Sequence, residues 1–241
     1  MSFQLMSKKN FDIYVALSST KLSIGAFKKF DGNSIFFKEY NCATNLNNDQ
    51  LNFENTEKTI EKNIFEIEKE TGEFLNDIYL MVGTPESIPI NLSLIKDNEG
   101  KKIQKKNVQY LIQDAKKQIL RSYYNKKIIH IIISNYVIDN IVYNSLPLDI
   151  NCKKFSIDIQ FICFPSNLIK RLEELFNNHQ IFINKIICSN YAKSFTKNET
   201  CTNICESGLK LIQGINKQEV VIVPRKLEKK GFFEKLFHFF K

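Results

Sequence analysis

Residues 11–40 read FDIYVALSSTKLSIGAFKKFDGNSIFFKEY. An apolar run, Phe11–Leu17, ends in Ser18-Ser19-Thr20. A second run over 22–30 ends in Asp31-Gly32-Asn33, and a third covers 34–40. Strand-length runs joined by short polar bridges are the pattern of consecutive hairpins. The stretch therefore predicts a meander of three antiparallel strands at the start of the fold.

Beyond a polar loop at 45–55, residues 56–76 carry Ile60, Ile64, Ile67, Phe74 and Leu75 at helical spacing, with Glu and Lys opposite. A strand at 78–82 ends in Gly83-Thr84-Pro85. Residues 87–95 alternate, with Ile88, Ile90, Leu92 and Leu94 on one face. A helix is predicted over 105–124, where Val108, Leu111, Ile112, Ala115, Ile119 and Tyr123 form one stripe. Strands at 128–133 and 155–164 follow. Next come a helix at 166–178 with Leu168, Ile169, Leu172, Leu175 and Phe176 inward, and a strand at 181–188. Helical stretches are expected at 191–195 and 201–211, with Gly214 placed to stop the second. The segment 215–228 carries Pro224 and rising charge, and reads as a linker after a short strand at 220–223. Mixed strands and helices with antiparallel connections at the start point to an α/β or α+β fold.

Composition narrows the function classes. With 43% apolar and 25% charged residues, the bulk of the chain is that of a folded globular protein. The first ten residues lack the apolar core of a signal peptide. No run of about 18 apolar residues exists to span a bilayer. The six cysteines are scattered, which suits reduced thiols in the cytosol. Cys201 and Cys205 can share a helix face, but neither a second pair nor a nearby His completes a zinc site. There is no GxGxxG and no Walker A pattern. His130 lies in an apolar strand and reads as packed or partnered rather than catalytic. His179 ends a helix and suits the surface there.

Two charged features stand out. Residues 101–127 hold nine Lys/Arg against Asp114 alone, about the whole net charge of +8. This reads either as a solvated helix face or as a docking face for an acidic partner or anionic lipid, with Lys105, Lys106, Lys116 and Lys117 as its protein-binding candidates. Nucleic acid is not expected, because no recognition motif accompanies the lysines. The last 13 residues, 229–241, read KKGFFEKLFHFFK. At 100° per residue, Phe232, Phe233, Leu236, Phe237, Phe239 and Phe240 fill one arc of about 160°. Such a helix is roughly 20 Å long, against about 30 Å of hydrocarbon, so it is expected to lie in a membrane interface. Lys229, Lys230, Lys235 and Lys241 add attraction to anionic lipid.

The order of these pieces resembles the bacterial cell-division family FtsA, an actin-like membrane tether. Residues 14–21, YVALSSTK, are similar to that family's first phosphate loop, D-I-G-T-T-K. The transition at 78–85 (IYLMVGTP) and the run 88–164 resemble the strand and the inserted SHS2-type subdomain 1C that follow. Residues 133–138 (ISNYVI) and 145–148 (SLPL) echo the family's strand and following turn. Residues 167–195 resemble the helix, strand and helix that close subdomain 1A, and 202–214 (TNICESGLKLIQG) the last core helix. The resemblance implies half of an actin-like (ribonuclease H-like) fold: subdomain 1A at 1–85 and 166–214, subdomain 1C at 86–165, a linker at 215–228 and an amphipathic tether at 229–241.

The departures set the expected function. Ala16 and Ser18 stand where the family's loop has its acidic residue and glycine, so only Ser19, Thr20 and Lys21 keep loop character. Between Phe195 and Thr202 the family carries its whole second domain, with the second phosphate loop and subdomain 2B. The resemblance therefore implies no enzyme activity and no cofactor. It implies a divisome scaffold on the cytoplasmic face of the inner membrane that associates with itself. FtsZ binding is doubtful, because subdomain 2B supplies that site in the family. The alternative is a PilM-like cytoplasmic adaptor of a type IV pilus or secretion platform.

Overall fold

The computed structural model describes residues 10–42, 50–197 and 201–220. The three strands of the opening meander form as β1 (Phe11–Leu17), β2 (Lys21–Lys28) and β3 (Ser34–Asn41). β1 and β2 pair antiparallel from Phe11↔Lys28 to Leu17↔Leu22. β2 stops two residues earlier than its apolar run. Gly32, at φ +69°, folds the chain back so that its N–H donates to the Lys28 carbonyl at 2.9 Å, which leaves Phe30 exposed in the turn.

Helix α1 (Phe53–Thr71) begins where the Asn52 side chain accepts the Asn55 N–H, and ends at Gly72 with φ +73°. Those caps shift it about four residues towards the N-terminus of its predicted span. Phe74 and Leu75 thus lie in the loop before β4 (Asp77–Val82). β4 runs parallel to β1, and β9 (Phe182–Cys188) runs parallel to β4. The first sheet therefore has the order β3-β2-β1-β4-β9.

β1 is buried at all positions but Asp12, as in a strand covered on both faces. One covering element is α3 (Ser166–Asn177), whose five predicted inward residues, Leu168 to Phe176, are all buried. Another is α5 (Ile204–Ile212), which follows α4 (Ser189–Phe195). α5 lies close on the sheet: a Cβ added at Gly25 of β2 meets Cys205 Cβ at 2.9 Å, and one added at Gly208 meets Met81 and Tyr14. Both glycines are there for space.

The second sheet has the order β5-β8-β6-β7, all antiparallel, from β5 (Ile88–Asp97), β6 (Lys126–Ile138), β7 (Ile141–Tyr143) and β8 (Lys154–Pro165). Helix α2 (Lys105–Ser122) buries Val108, Leu111, Ile112, Ala115 and Ile119 against this sheet in a second core; Tyr123, expected on the same stripe, is its exposed C-cap. β6 is twice its predicted length. It runs through Ser134-Asn135, a polar break in the sequence, because a bulge between Ile133 and Asn135 absorbs it. A two-residue turn, Asp139-Asn140, with both φ values positive, then leads into β7.

Together these elements are a mixed α/β fold of two sheets. The segment expected to be a linker from Ile215 is packed as far as the description reaches. Asn216 is buried, and Glu219 bridges to Ile132 of β6. The expected strand at 220–223 enters the described residues only at Val220. The tail, with its membrane candidates Lys229, Lys230, Phe232, Phe233, Lys235, Leu236, Phe237, Phe239, Phe240 and Lys241, lies outside them.

Candidate functional site

The parallel strands β1, β4 and β9 end together at Leu17, Val82 and Cys188. Ligands of α/β proteins bind outside such carboxyl ends. A cleft of about 230 Å³ opens there, lined among others by Ala16, Ser18, Lys21, Glu39, Gly83, Ser189 and Lys193. The phosphate-like loop of the sequence thus does border a cleft.

Ser18 and Lys21, however, already spend their polar groups on other parts of the chain. The Ser18 N–H and Oγ both donate to the Lys21 carbonyl (2.9 and 3.2 Å), and the same Oγ accepts the Lys21 N–H at 3.0 Å. Ser18 closes its own hairpin. The Thr20 carbonyl accepts the Cys42 N–H at 2.8 Å. Lys21 Nζ donates to Glu39 Oε2 at 3.2 Å and Ser23 Oγ donates to Glu39 Oε1 at 3.0 Å. These bonds from Lys21 and Ser23 hold the Glu39 carboxyl below its usual range. Ala16 is buried and presents a methyl group. A magnesium nucleotide needs free carboxylate oxygens for the metal and free donors for the phosphates. The one carboxylate lining this cleft is already bound to a lysine and a serine, so the donor set does not fit that group.

A second cluster is better built. His130 on β6 is buried; its Nε2 accepts the Cys188 backbone N–H at 2.9 Å and its Nδ1 lies 2.9 Å from Glu219 Oε1. An amide N–H only donates, so the proton of the neutral ring sits on Nδ1 and is donated to Glu219. The other carboxylate oxygen accepts the Tyr191 hydroxyl at 3.0 Å, and Asn216 Nδ2 donates to that hydroxyl at 2.6 Å. Lys185 Nζ approaches Glu219 at 3.4 Å.

Burial lowers the His130 pKa, outweighing the upward pull of Glu219. Burial pushes Glu219 up, but its bonds from His130 and Tyr191 and the charge of Lys185 outweigh this and hold it below the usual carboxylate value. The cluster joins β6 of one sheet to β9 of the other through α4 and residues 216–219. His130 is buried and both its ring nitrogens are held by partners, as suits a structural group.

The structure does not bring the remaining candidates into either place. Lys105, Lys106 and Lys117 are exposed on α2 and Lys116 is half-buried, all without an ion pair among the described residues. The thiol of Cys205 is buried under β1 and β2 and pushed up to about 12. Among the described residues no group of three His, Cys, Asp or Glu is placed to hold a metal ion, and no helix is long and apolar enough to cross a membrane.

The chain matches no protein-family model and no curated protein sequence. It is similar in fold to solved structures. One is from the PilM-PilN type IV pilus biogenesis complex, with a TM-score of 0.50 and 5% identity over 79% of this chain and 51% of that one. Another is the cytoplasmic domain of EpsL, an inner membrane component of the type II secretion system of Vibrio cholerae, at TM-score 0.36 and 8% identity over 76% and 57%. A third is a Bacteroides thetaiotaomicron protein with an actin-like ATPase fold and unknown function, at TM-score 0.33 and 14% identity over 82% and 60%. The chain thus spans between half and three fifths of the length of these structures.

Proposed function

We propose that this chain is a non-enzymatic scaffold of the cell-division machinery, tethered to the cytoplasmic face of the inner membrane by residues 229–241. The observation that carries the non-enzymatic part is the cleft at the end of β1, where Ser18 and Lys21 are consumed by their own hairpin and by Glu39. A cleft in this condition leaves the fold as a platform. The platform's partners are other division proteins, further copies of itself and anionic lipid. A second reading, a PilM-like adaptor of a pilus or secretion platform, is favoured by the fold likeness to the PilM-PilN structure. Chromosomal neighbours, cell-wall and division genes against pilus genes, separate the two.

Tethering has its own arithmetic. Five Phe and Leu236 each contribute roughly 1.5–3 kcal/mol if fully buried, while ordering the helix costs about 1–2 kcal/mol per residue. Apolar contact alone therefore gives weak, reversible attachment. The six Lys/Arg between Arg225 and Lys241, against Glu228 and Glu234, add about 1 kcal/mol each near an anionic surface. Liposome sedimentation tests this. The parent chain is expected to pellet with anionic vesicles at low salt and to release as salt rises. Leu236→Glu with Phe240→Glu is expected to stay folded and in the supernatant. A parent chain that stays in the supernatant at low salt defeats the tether.

A further inference from the structure

Helix α2 has two opposite faces. Its buried stripe, Val108 to Ile119, packs on the second sheet. At 100° per residue, Lys106, Tyr110, Gln113, Lys117, Leu120 and Arg121 fall within about 100° of arc, centred about 180° from that stripe. All are exposed, Tyr110 at 62% and Leu120 at 43%. They form the outermost ridge of the helix, roughly 22 Å long. The ridge carries no carboxylate. Asp114, the one acidic residue of α2, is half-buried and accepts a hydrogen bond from Gln118 at 3.0 Å. Lys106, Lys117 and Arg121 make no ion pair among the described residues; the pairs on either side of the helix in sequence are Lys101–Glu99 and Lys127–Glu173. Lys96 of β5 adds a further cation, its Nζ 4.9 Å from the centre of the Tyr110 ring.

We propose that this ridge is a membrane contact in its own right, seated on the phosphates of an anionic lipid surface. Charge complementarity is the first argument. Three cations on one line, with no acid among them, add their effects over a surface that is negative throughout. Layout is the second. The cations lie along a convex helix ridge rather than around a cavity, so they do not converge on one small anion. A lipid leaflet meets all of them at once and needs no walls to hold it. The side chains between the cations are the third argument. Tyr110 has an apolar ring and a polar tip, the form of side chain that settles at the headgroup level of a bilayer. The Lys96 ammonium over that ring helps to hold it in place. Leu120 gains by leaving water only where the partner offers hydrocarbon, and a nucleic acid backbone offers none. An acidic polypeptide also satisfies the charges, but it has to be ordered along a convex face, at a conformational cost for every residue.

Lipid contact along α2 turns this helix towards the membrane and fixes the orientation of the body, which a single terminal tether leaves free to swing. The proposal rests on the reading of this chain as membrane-bound, but not on residues 229–241 as the anchor.

The sequence contains no Trp, so Tyr110→Trp places a single indole on the ridge of the full-length chain. With vesicles of phosphatidylglycerol and phosphatidylcholine at low salt, its emission is expected to shift to the blue and to be quenched by a headgroup spin-labelled lipid. Added salt is expected to reverse both. Lys106→Glu, Lys117→Glu and Arg121→Glu together, on that chain, are expected to abolish the quenching and to weaken vesicle binding roughly tenfold or more. The same three positions changed to Gln serve if the first variant unfolds. Quenching that survives Leu236→Glu with Phe240→Glu, but not the ridge substitutions, upholds the ridge even where the tether fails. A chain that pellets with its indole unshifted keeps the tether and overturns the ridge. A chain that shows neither quenching nor pelleting defeats both. A shift produced by polyglutamate but not by vesicles assigns the ridge to an acidic protein and also overturns the proposal.

Discussion

Single residues decide what the two polar sites of this protein can do. At Ser18 the hydroxyl closes its own turn, and at Lys21 the ammonium is held by Glu39. We therefore expect no measurable binding when a labelled ATP analogue is titrated into the purified chain. A dissociation constant in the low micromolar range would restore a nucleotide role to the cleft. At His130 the expected outcome is a pH dependence. Burial depresses its pKa, so the folded chain keeps the ring neutral while the unfolded chain takes up a proton near pH 6.5. Stability from this group is complete above about pH 6.5 and is lost as pH falls towards the folded value. Glu219, also depressed, adds in the same direction below its ordinary 4.5. His130→Ala leaves the Cys188 N–H without its acceptor and Glu219 Oε1 with only the 3.4 Å contact from Lys185, and is expected to cost about 3 kcal/mol at neutral pH and to flatten this acid limb. Urea midpoints of parent and variant between pH 5 and 8 check both. The sequence shows His130 as partnered, but not its partner: Glu219 lies 89 positions away, in a charged stretch that reads as linker.

At the scale of elements, the informative contact is α5 on the first sheet. Alanine ordinarily improves on glycine within a strand or helix by up to about 1 kcal/mol. Gly25→Ala is expected to do the reverse, because its Cβ meets Cys205 Cβ at 2.9 Å and Phe27 Cε2 at 2.8 Å. A Cβ cannot rotate away, so α5 must lift. A loss of about 2 kcal/mol is expected in chemical denaturation, and a stabilised Gly25→Ala chain would mean that α5 sits less closely than described. The same contact shows what periodicity can and cannot deliver. The inward faces of α2 and α3 are visible in their spacing, since each buries a single apolar stripe. The length of β6 is not, since the bulge that carries it past Ser134-Asn135 exists only when β8 lies alongside.

At the scale of the whole molecule, two sheets and two cores present one long basic face, α2, to solvent. If that face docks an acidic partner, reversing charge at Lys105, Lys106, Lys116 and Lys117 lowers recovery of partners from cell extract severalfold at constant stability, since these side chains hold no ion pair among the described residues. Unchanged recovery would make them plain solvated surface as far as proteins are concerned, which is the usual worth of exposed lysine.

The sequence by itself determined the elements of this protein: the opening meander, the apolar stripes of α2 and α3 and the degenerate loop after β1. These are local, because a repeat of two or 3.6 residues, or the identity of a loop residue, needs no distant partner to be visible. Only the tertiary structure decided that Ser18 and Lys21 spend their polar groups internally, that His130 and Glu219 meet, and that residues 215–220 belong to the fold. Each of those depends on a bond to a group brought close by the pairing of strands. An isolated charge such as Glu219 looks solvated until the sheet edge that buries it is in place.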